Sequence, residues 1–341
     1  MWHVDSKNEC DGMQEQRQAL LEDLQAIVER FSGARVLLLG DTILDIYTYG
    51  SAMGLSAETP TIVARRKEVK HSLGGAALVC RNLLELGAAV DFITLVGGDE
   101  EAAYVRAFQA PKLVLRAVTD AARPTTVKHR FWVDGYKLFQ LDQRDDREIG
   151  SEIAGQVLAQ VDEALPHSDI VVVSDYRHGL LSAEVVAALL AKVHAAGKLV
   201  YVDSQVSQTS ANHTQYQGGC VMVLNLKEAR SIDPAFKPEL YAEAFAELNR
   251  LLGTDRIVVK LGEEGAMFQD GARVTHAQAN KVAVVDTTGA GDAFLSAFCL
   301  AGVGEPESAL RLANAWAGLS VQIHGTEPPR KADLLSAVKE L

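Results

Sequence analysis

Short apolar runs recur along the chain, each about the length of one buried strand, and most close on an acid, an amide or a glycine. They are ARVLLLGD (34–41), AAVDFITLVGGD (88–99), SDIVVVSDY (168–176), KLVYVDS (198–204), CVMVLN (220–225) and DRIVVKLG (255–262). Helical patterns separate most of them, as in AALVCRNLLELG (76–87) and SAEVVAALLAKVHAAG (182–197). Alternating strands and helices predict an α/β fold: a mainly parallel sheet with helices on both faces, three layers in all. Residues 1 to about 13 are polar and unpatterned and read as an arm. From Gln14 to Phe31, apolar residues at Leu20, Leu24, Ile27, Val28 and Phe31 predict an amphipathic helix.

Two segments break the alternation. TPTIVARRKEVKHSL (59–73) and RPTTVKHRFWVDGYKLFQLDQRD (123–145) are rich in β-branched and aromatic residues. In the second, Asp134-Gly135 stands between two alternating runs, a strong hairpin signal. These segments predict a small antiparallel sheet projecting from the main body, as a lid over a site or as a dimerisation surface. The division expected is an arm and helix over 1–34 and one domain over 35–341, with lid segments at about 47–72 and 122–143.

The bulk properties narrow the function. The chain has 341 residues and a formal net charge of −12, a poor match to nucleic acid or anionic membrane. Cys10, Cys80, Cys220 and Cys299 show no CxxC spacing, which suits free thiols in a reducing, cytoplasmic setting. No apolar leader is visible among the first residues, and no apolar run approaches the ~18 residues of a membrane span.

The segment VVDTTGAGDAF (284–294) carries the chemistry. KVAVV (281–285) reads as a strand, and the residues after Asp292 turn helical. A glycine-rich turn at a helix N-terminus lets backbone N–H groups approach an anion, and the helix dipole adds to the attraction. Asp292 puts a carboxylate beside that pocket, where it can take a proton from a hydroxyl attacking phosphorus. A plain turn with an aspartate cap is the competing reading. A dinucleotide-dependent dehydrogenase is disfavoured, because LLLGDTILD (37–45) lacks a GxGxxG turn after the first strand.

These motifs resemble the ribokinase-like (PfkB) carbohydrate kinases. DTTGAGDAF (286–294) is similar to their C-terminal signature and GGAALVCRNLLELG (74–87) to their N-terminal one. LNLKEA (224–229), VVKLGEEGA (258–266) and LANAWAGLSVQIHGT (312–326) follow family segments in order. The resemblance implies an ATP-dependent kinase with Asp292 as general base and Gly289, Ala290 and Gly291 as the anion hole. It implies magnesium held through water by Asn225 and Glu228, and a monovalent cation such as potassium at Asp286 and Thr288. Asn225, Lys260, Gly262, Gly265 and Asn314 would line the nucleotide side, although many relatives carry threonine at Lys260. Asp45, Gly74, Gly75, Glu58, Lys128 and Arg130 would bind the sugar.

Within the family, FSGARVLLLGDTILDIYTYG (31–50), SAETP (56–60), TTVKHR (125–130) and SDYRHGLL (174–181) resemble the kinase half of the bifunctional heptose-phosphate enzymes. That implies transfer to O1 of D-glycero-D-manno-heptose 7-phosphate, in the supply of ADP-heptose for lipopolysaccharide. No HxGH nucleotidyltransferase motif follows the kinase segment, so a stand-alone kinase is expected. The chain departs from the heptose kinases at Ile46, Leu78, Gln140, His178, Ser204 and Gln205, several of them cationic or polar positions in those enzymes. A kinase for another sugar or sugar phosphate, and a non-catalytic sugar- or nucleotide-binding regulator, therefore stay open. A homodimer through the projecting sheet is expected.

Overall fold

The computed structural model describes residues 5–206, 211–240 and 242–340. The strands are β1 (Arg35–Gly40), β2 (Thr42–Leu55), β3 (Ile62–Gly75), β4 (Ala89–Val96), β5 (Leu113–Thr119), β6 (Val127–Val133) and β7 (Tyr136–Gln143). They continue with β8 (Ile170–Asp175), β9 (Val200–Ser204), β10 (Val221–Asn225), β11 (Arg256–Lys260), β12 (Ala266–Asp270) and β13 (Arg273–Ala277). The helices are α1 (Asp5–Arg30), α2 (Ala76–Glu85), α3 (Glu101–Arg106), α4 (Ser151–Ala164) and α5 (Ala183–Ala195). After them come α6 (Leu226–Ile232), α7 (Ala242–Leu252), α8 (Ala290–Ala301), α9 (Pro306–Ser320) and α10 (Lys331–Glu340).

The main sheet runs β13-β12-β11-β10-β9-β8-β1-β4-β5. Its pairs are parallel from β11 to β5, and β12 and β13 add an antiparallel edge. Successive side chains of a strand point to opposite faces. Val36 and Leu38 of β1 accordingly join one core with α1, α2, α8, α9 and α10. Leu37 and Leu39 join the other, with α4, α5 and α7. Burial on both faces explains why these strands read as unbroken apolar runs rather than alternating ones.

The projecting sheet has the order β3-β2-β6-β7. β2 and β6 pair in parallel between two antiparallel hairpin pairs, so the sheet is mixed, not antiparallel throughout. The two hairpins meet side by side, and that arrangement sets the direction of the central pair. The Asp134-Gly135 turn closes β6 on β7 with positive φ at both residues (48° and 86°), as a type I′ turn requires. The strands extend further toward the main body than 47–72 implies, from Thr42 and to Gly75.

Two local expectations are corrected. Residues 1–4 of the expected arm lie outside the described residues, but α1 already runs from Asp5. Apolar periodicity reports which turns of a helix are buried, and polar helix formers such as Gln14, Glu15 and Gln16 extend it without an apolar stripe. KVAVV is not a strand. Val285 and Asp286 donate their N–H groups to the Val321 carbonyl at the end of α9, and Val284 and Val285 are exposed. Among the described residues no helix is long and apolar enough to cross a membrane. Cys80, Cys220 and Cys299 are buried free thiols.

Candidate active site

A cleft of about 330 Å³ opens at the carboxyl ends of the parallel strands, beneath the inner face of the projecting sheet. Ligand sites of open parallel sheets form at such strand ends. The cleft gathers Asp45, Gly75, Lys128, Arg130, Asn225, Glu228, Lys260, Thr288, Gly289, Gly291 and Asp292 from among the expected site residues.

The glycine turn behaves as its composition suggests. Gly289 caps α8 with φ of 80°, in the left-handed region that only glycine adopts freely. A Cβ there would collide with Leu78 Cδ2. Ala290 donates its N–H to Thr287 O at 3.3 Å, and of the three turn residues only Gly289 and Gly291 line the cleft. Asp292 sits in the first turn of α8, where N–H groups lack intrahelical partners.

Asp292 opens to the cleft on one side, yet loss of water pushes its pKa up to about 7. Asp203 and Asp45 push the same way, while the Tyr176 hydroxyl and the Lys260 ammonium pull it down. The Tyr176 hydroxyl donates to Asp292 Oδ1 (2.8 Å) and Oδ2 (2.9 Å). Lys260 pairs with Asp203 at 2.5 Å. Burial disfavours its charge, but Asp203 and Glu228 more than offset that and hold it protonated. Its Nζ lies 3.3 Å from where a Cβ on Gly291 would stand, so a cation faces the glycine turn.

Asn225 and Glu228 form a capping box at the start of α6. Asn225 Oδ1 accepts the Glu228 N–H (2.9 Å), and Glu228 Oε2 accepts the Asn225 N–H (2.7 Å). Glu228 thus stands in a helix rather than at the strand end with Asn225. Burial and then Asp203 push its carboxyl up to about 7. Among the described residues no cluster of three or more His, Cys, Asp or Glu is spaced to ligate a metal directly. Asp286 accepts N–H groups from Thr288 (2.9 Å) and Gly325 (3.0 Å). Burial alone would raise its pKa, but these donors outweigh it and keep the carboxylate ionised.

On the projecting sheet, Asp45 and Arg130 form an ion pair, and Arg130 lies over the Tyr47 ring, 5.1 Å from its centroid. Burial raises the Asp45 pKa, and Arg130 opposes it. A Cβ on Gly74 would overlap an Asp45 carboxylate oxygen, so Gly74 makes room for that side chain and does not itself line the cleft. The Lys128 side chain lines the cleft with no hydrogen bond or ion pair among the described residues. A second cleft of about 950 Å³ adjoins the first through Arg130, Thr288 and Thr326, with Tyr47, Tyr49 and Trp132 on its sheet side.

Several expected residues lie elsewhere. Glu58 stands in the exposed turn between β2 and β3, because those strands continue to Leu55 and from Ile62 and carry the turn away from the cleft. Asn314 donates to the Ala277 and Gln278 carbonyls (2.9 and 3.4 Å), and Gly265 packs against the same 277–279 segment. Gly262 stands in the open turn after β11. Of the departures, Leu78 and Gln205 line the cleft. Ile46 points to the opposite sheet face from Asp45, and Gln140 bonds Asp142 on the exposed β7 (2.7 Å). Ser204 donates to the buried Asp175 (2.8 Å), and the buried His178 donates its backbone N–H to Asp41.

Sequence reasoning missed Tyr176, Asp203, Asp41 and Asp175. The signal was present: each stands at the carboxyl end of an apolar run, in LGD, SDY or VDS.

A carboxylate with a pKa near neutrality, a glycine-rich helix start and an adjacent ammonium are suited to moving a phosphoryl group onto a hydroxyl. Fold and site together define a phosphotransferase with an alcohol acceptor. The comparisons with known proteins refine this. The sequence profile described as "pfkB family carbohydrate kinase" matches residues 34–333, and the chain belongs to that family of sugar kinases. The "Bifunctional protein HldE" of Bradyrhizobium diazoefficiens is 33% identical over 324 residues, covering 92% of this chain and 64% of the relative. The protein of the same description from Nitrobacter hamburgensis is 33% identical over 327 residues, covering 92% and 65%. The chain thus spans about two thirds of the length of these relatives. Among solved structures, Arabidopsis thaliana ribokinase complexed with ribose and ATP superposes with a TM-score of 0.68 at 22% identity, covering 90% of this chain and 99% of that one. Escherichia coli phosphofructokinase-2 in complex with potassium gives 0.73 at 20%, covering 90% and 99%. Both share the ribokinase-like fold.

Proposed function

We propose that this protein transfers the γ-phosphoryl group of ATP to a sugar hydroxyl, with Asp292 as general base and the turn at Gly289–Gly291 receiving the phosphoryl oxygens. The single observation that carries the reading is Asp292 itself, a carboxylate with a pKa of about 7 at the anion-binding start of α8. At neutral pH such a group can accept the acceptor's proton as the oxygen attacks phosphorus. The N–H groups of the turn and the Lys260 ammonium then balance the charge on the phosphoryl oxygens.

Asn225 and Glu228 would hold magnesium through water, and the ion supplies charge neutralisation at the terminal phosphates. Buried Glu228 and the Asp203 carboxylate that repels it suit a nearby divalent cation. A monovalent cation such as potassium would sit beside Asp286 and Thr288, where each Asp286 oxygen keeps acceptor capacity beyond its one N–H bond.

The acceptor proposed is D-glycero-D-manno-heptose 7-phosphate, phosphorylated at O1. Its support is the resemblance of the SAETP, TTVKHR and SDYRHGLL segments to heptose-phosphate kinases and the identity to proteins described as HldE. Lys128, the unpaired cation of the cleft, would meet the acceptor's phosphate. Arg130, already committed to Asp45, would orient that carboxylate toward sugar hydroxyls. Leu78 and Gln205 in the cleft wall favour a second reading, a different sugar or sugar phosphate. The projecting sheet is read as a lid on the kinase domain and as the surface of a homodimer. Buried free thiols fit a cytoplasmic setting. An ATP-coupled screen over free and phosphorylated sugars tests the reading. Preference for heptose 7-phosphate supports it, preference for a free sugar removes the heptose assignment, and no transfer to any sugar removes the kinase reading.

A further inference from the structure

Tyr176 follows β8 directly, and its turn is fixed from below by two buried carboxylates. Asp41, at the end of β1, accepts the N–H groups of Tyr176 (3.0 Å) and His178 (3.2 Å). Asp175 accepts the Arg177 N–H (2.9 Å) and is itself held by Ser204, Asn212 and the Tyr216 hydroxyl. The pinned turn aims the Tyr176 hydroxyl at Asp292, where one proton is shared by both carboxylate oxygens. An acceptor hydroxyl must donate to one of those same oxygens before it can react.

We propose that Tyr176 is a positioning residue for phosphoryl transfer: its hydroxyl orients the Asp292 carboxylate, favours its ionised form, and yields one oxygen to the acceptor hydroxyl while holding the other. The inference rests on Asp292 being the base. A hydrogen bond to a carboxylate stabilises the ionised form, which opposes the burial that raises the Asp292 pKa. The other charged groups facing Asp292 are Asp203 of β9, Lys260 of β11 and Asp45 of β2. Lys128, Arg130 and Glu228 line the same cleft. None of these is altered by removing the hydroxyl.

Tyr176→Phe keeps the ring and deletes the donor. The acidic limb of kcat/KM against pH should then move to higher pH by roughly one to two pH units, the worth of one bond to a charged group. Activity should fall about tenfold at pH 7 and much less at pH 9, with KM for ATP unchanged. A purely structural role would lower the rate equally at all pH values. A limb that superimposes on that of the unmodified protein overturns the proposal. If the Phe variant does not fold, 3-fluorotyrosine at position 176, a stronger donor, should move the limb to lower pH, and an unmoved limb again overturns it. Asp292→Asn, assayed alongside, separates the premises. A fully active Asn variant removes the base, whereas an inactive one beside an unmoved Tyr176→Phe profile removes only the tyrosine.

Discussion

The two sheets that meet at the cleft are built on opposite terms. The main sheet is buried on both faces, and two of its strand-end acids are pinned by several donors: Asp41 by the Tyr176 and His178 N–H groups, and Asp175 by Ser204, Asn212, Tyr216 and the Arg177 N–H. The projecting sheet is covered on one face only. Its inner side presents Asp45, Tyr47, Lys128 and Arg130, while Val69, Phe139 and Leu141 stand exposed. Groups that must act on a transferring phosphoryl gain from fixed geometry, whereas groups that select an acceptor gain from a surface able to adjust. On the proposed function, the contrast puts chemistry beside the main sheet and selection on the projecting one.

Substitutions on the two sheets should therefore fail in different ways. The largest effect is expected on the main side: Asp292→Asn should lower turnover by ~10²–10⁴, the worth of a positioned base, with ATP binding by calorimetry intact. Near-normal turnover would break the contrast at its root. On the projecting side Arg130→Ala and Lys128→Ala should diverge. Loss of Arg130 leaves Asp45 buried without its partner and should cost roughly 3–5 kcal/mol of stability, read by denaturant unfolding. Loss of Lys128 should leave unfolding unchanged and weaken a phosphorylated acceptor by about 1.5–3 kcal/mol, read as KM against a fixed KM for ATP. Equal behaviour of the two would erase the distinction drawn within that sheet.

A smaller effect concerns pH. Asp41, Glu228 and Asp292 all have pKa values raised to about 7, so between about pH 4 and 7 these three groups bind more protons in the folded protein than in the unfolded chain, while buried His178, pushed down to about 4, works the other way. The contribution of the three acids to stability is present at low pH and lost as pH rises through 7. Asp292→Asn removes one of the three, so the melting temperature of the variant relative to the unmodified protein should fall as pH is lowered from 8 toward 5, and a difference independent of pH would remove Asp292 from this account. The smallest effect belongs to the outer face. Phe139→Glu should change monomer stability by no more than about 0.5 kcal/mol while shifting sedimentation toward monomer, if that face joins two copies.

How far the sequence foretold the molecule follows the same division. The apolar runs became the core strands, because burial on both faces writes itself into composition. The turn at Gly289 was legible because close packing against Leu78 and a left-handed φ leave glycine little competition. KVAVV misled because β-branched composition records a preference for extended backbone, not a pairing partner, and its N–H groups go instead to Val321. β12 and β13 went unread although Asp270-Gly271 sits between them as a hairpin signal. Tyr176 and Asp203 could be located at strand ends but not assigned, since which of many strand-end polar groups converge depends on strand order, and strand order is a property of the whole sheet.

The contact between Leu78 and Gly289 links regions that are distant in sequence. β3 ends at Gly75, α2 begins at Ala76, and Leu78 follows within the first turn, pressed against the glycine that opens α8. A tilt of the projecting sheet must either be absorbed between Gly75 and Leu78 or pass to the turn at Gly289. Because interiors pack without slack, the second path is short and stiff. On the proposed function the leucine is a follower resting on a cam: a side chain without charge or hydrogen bond ties the sheet that would select the acceptor to the turn where the phosphoryl group would land.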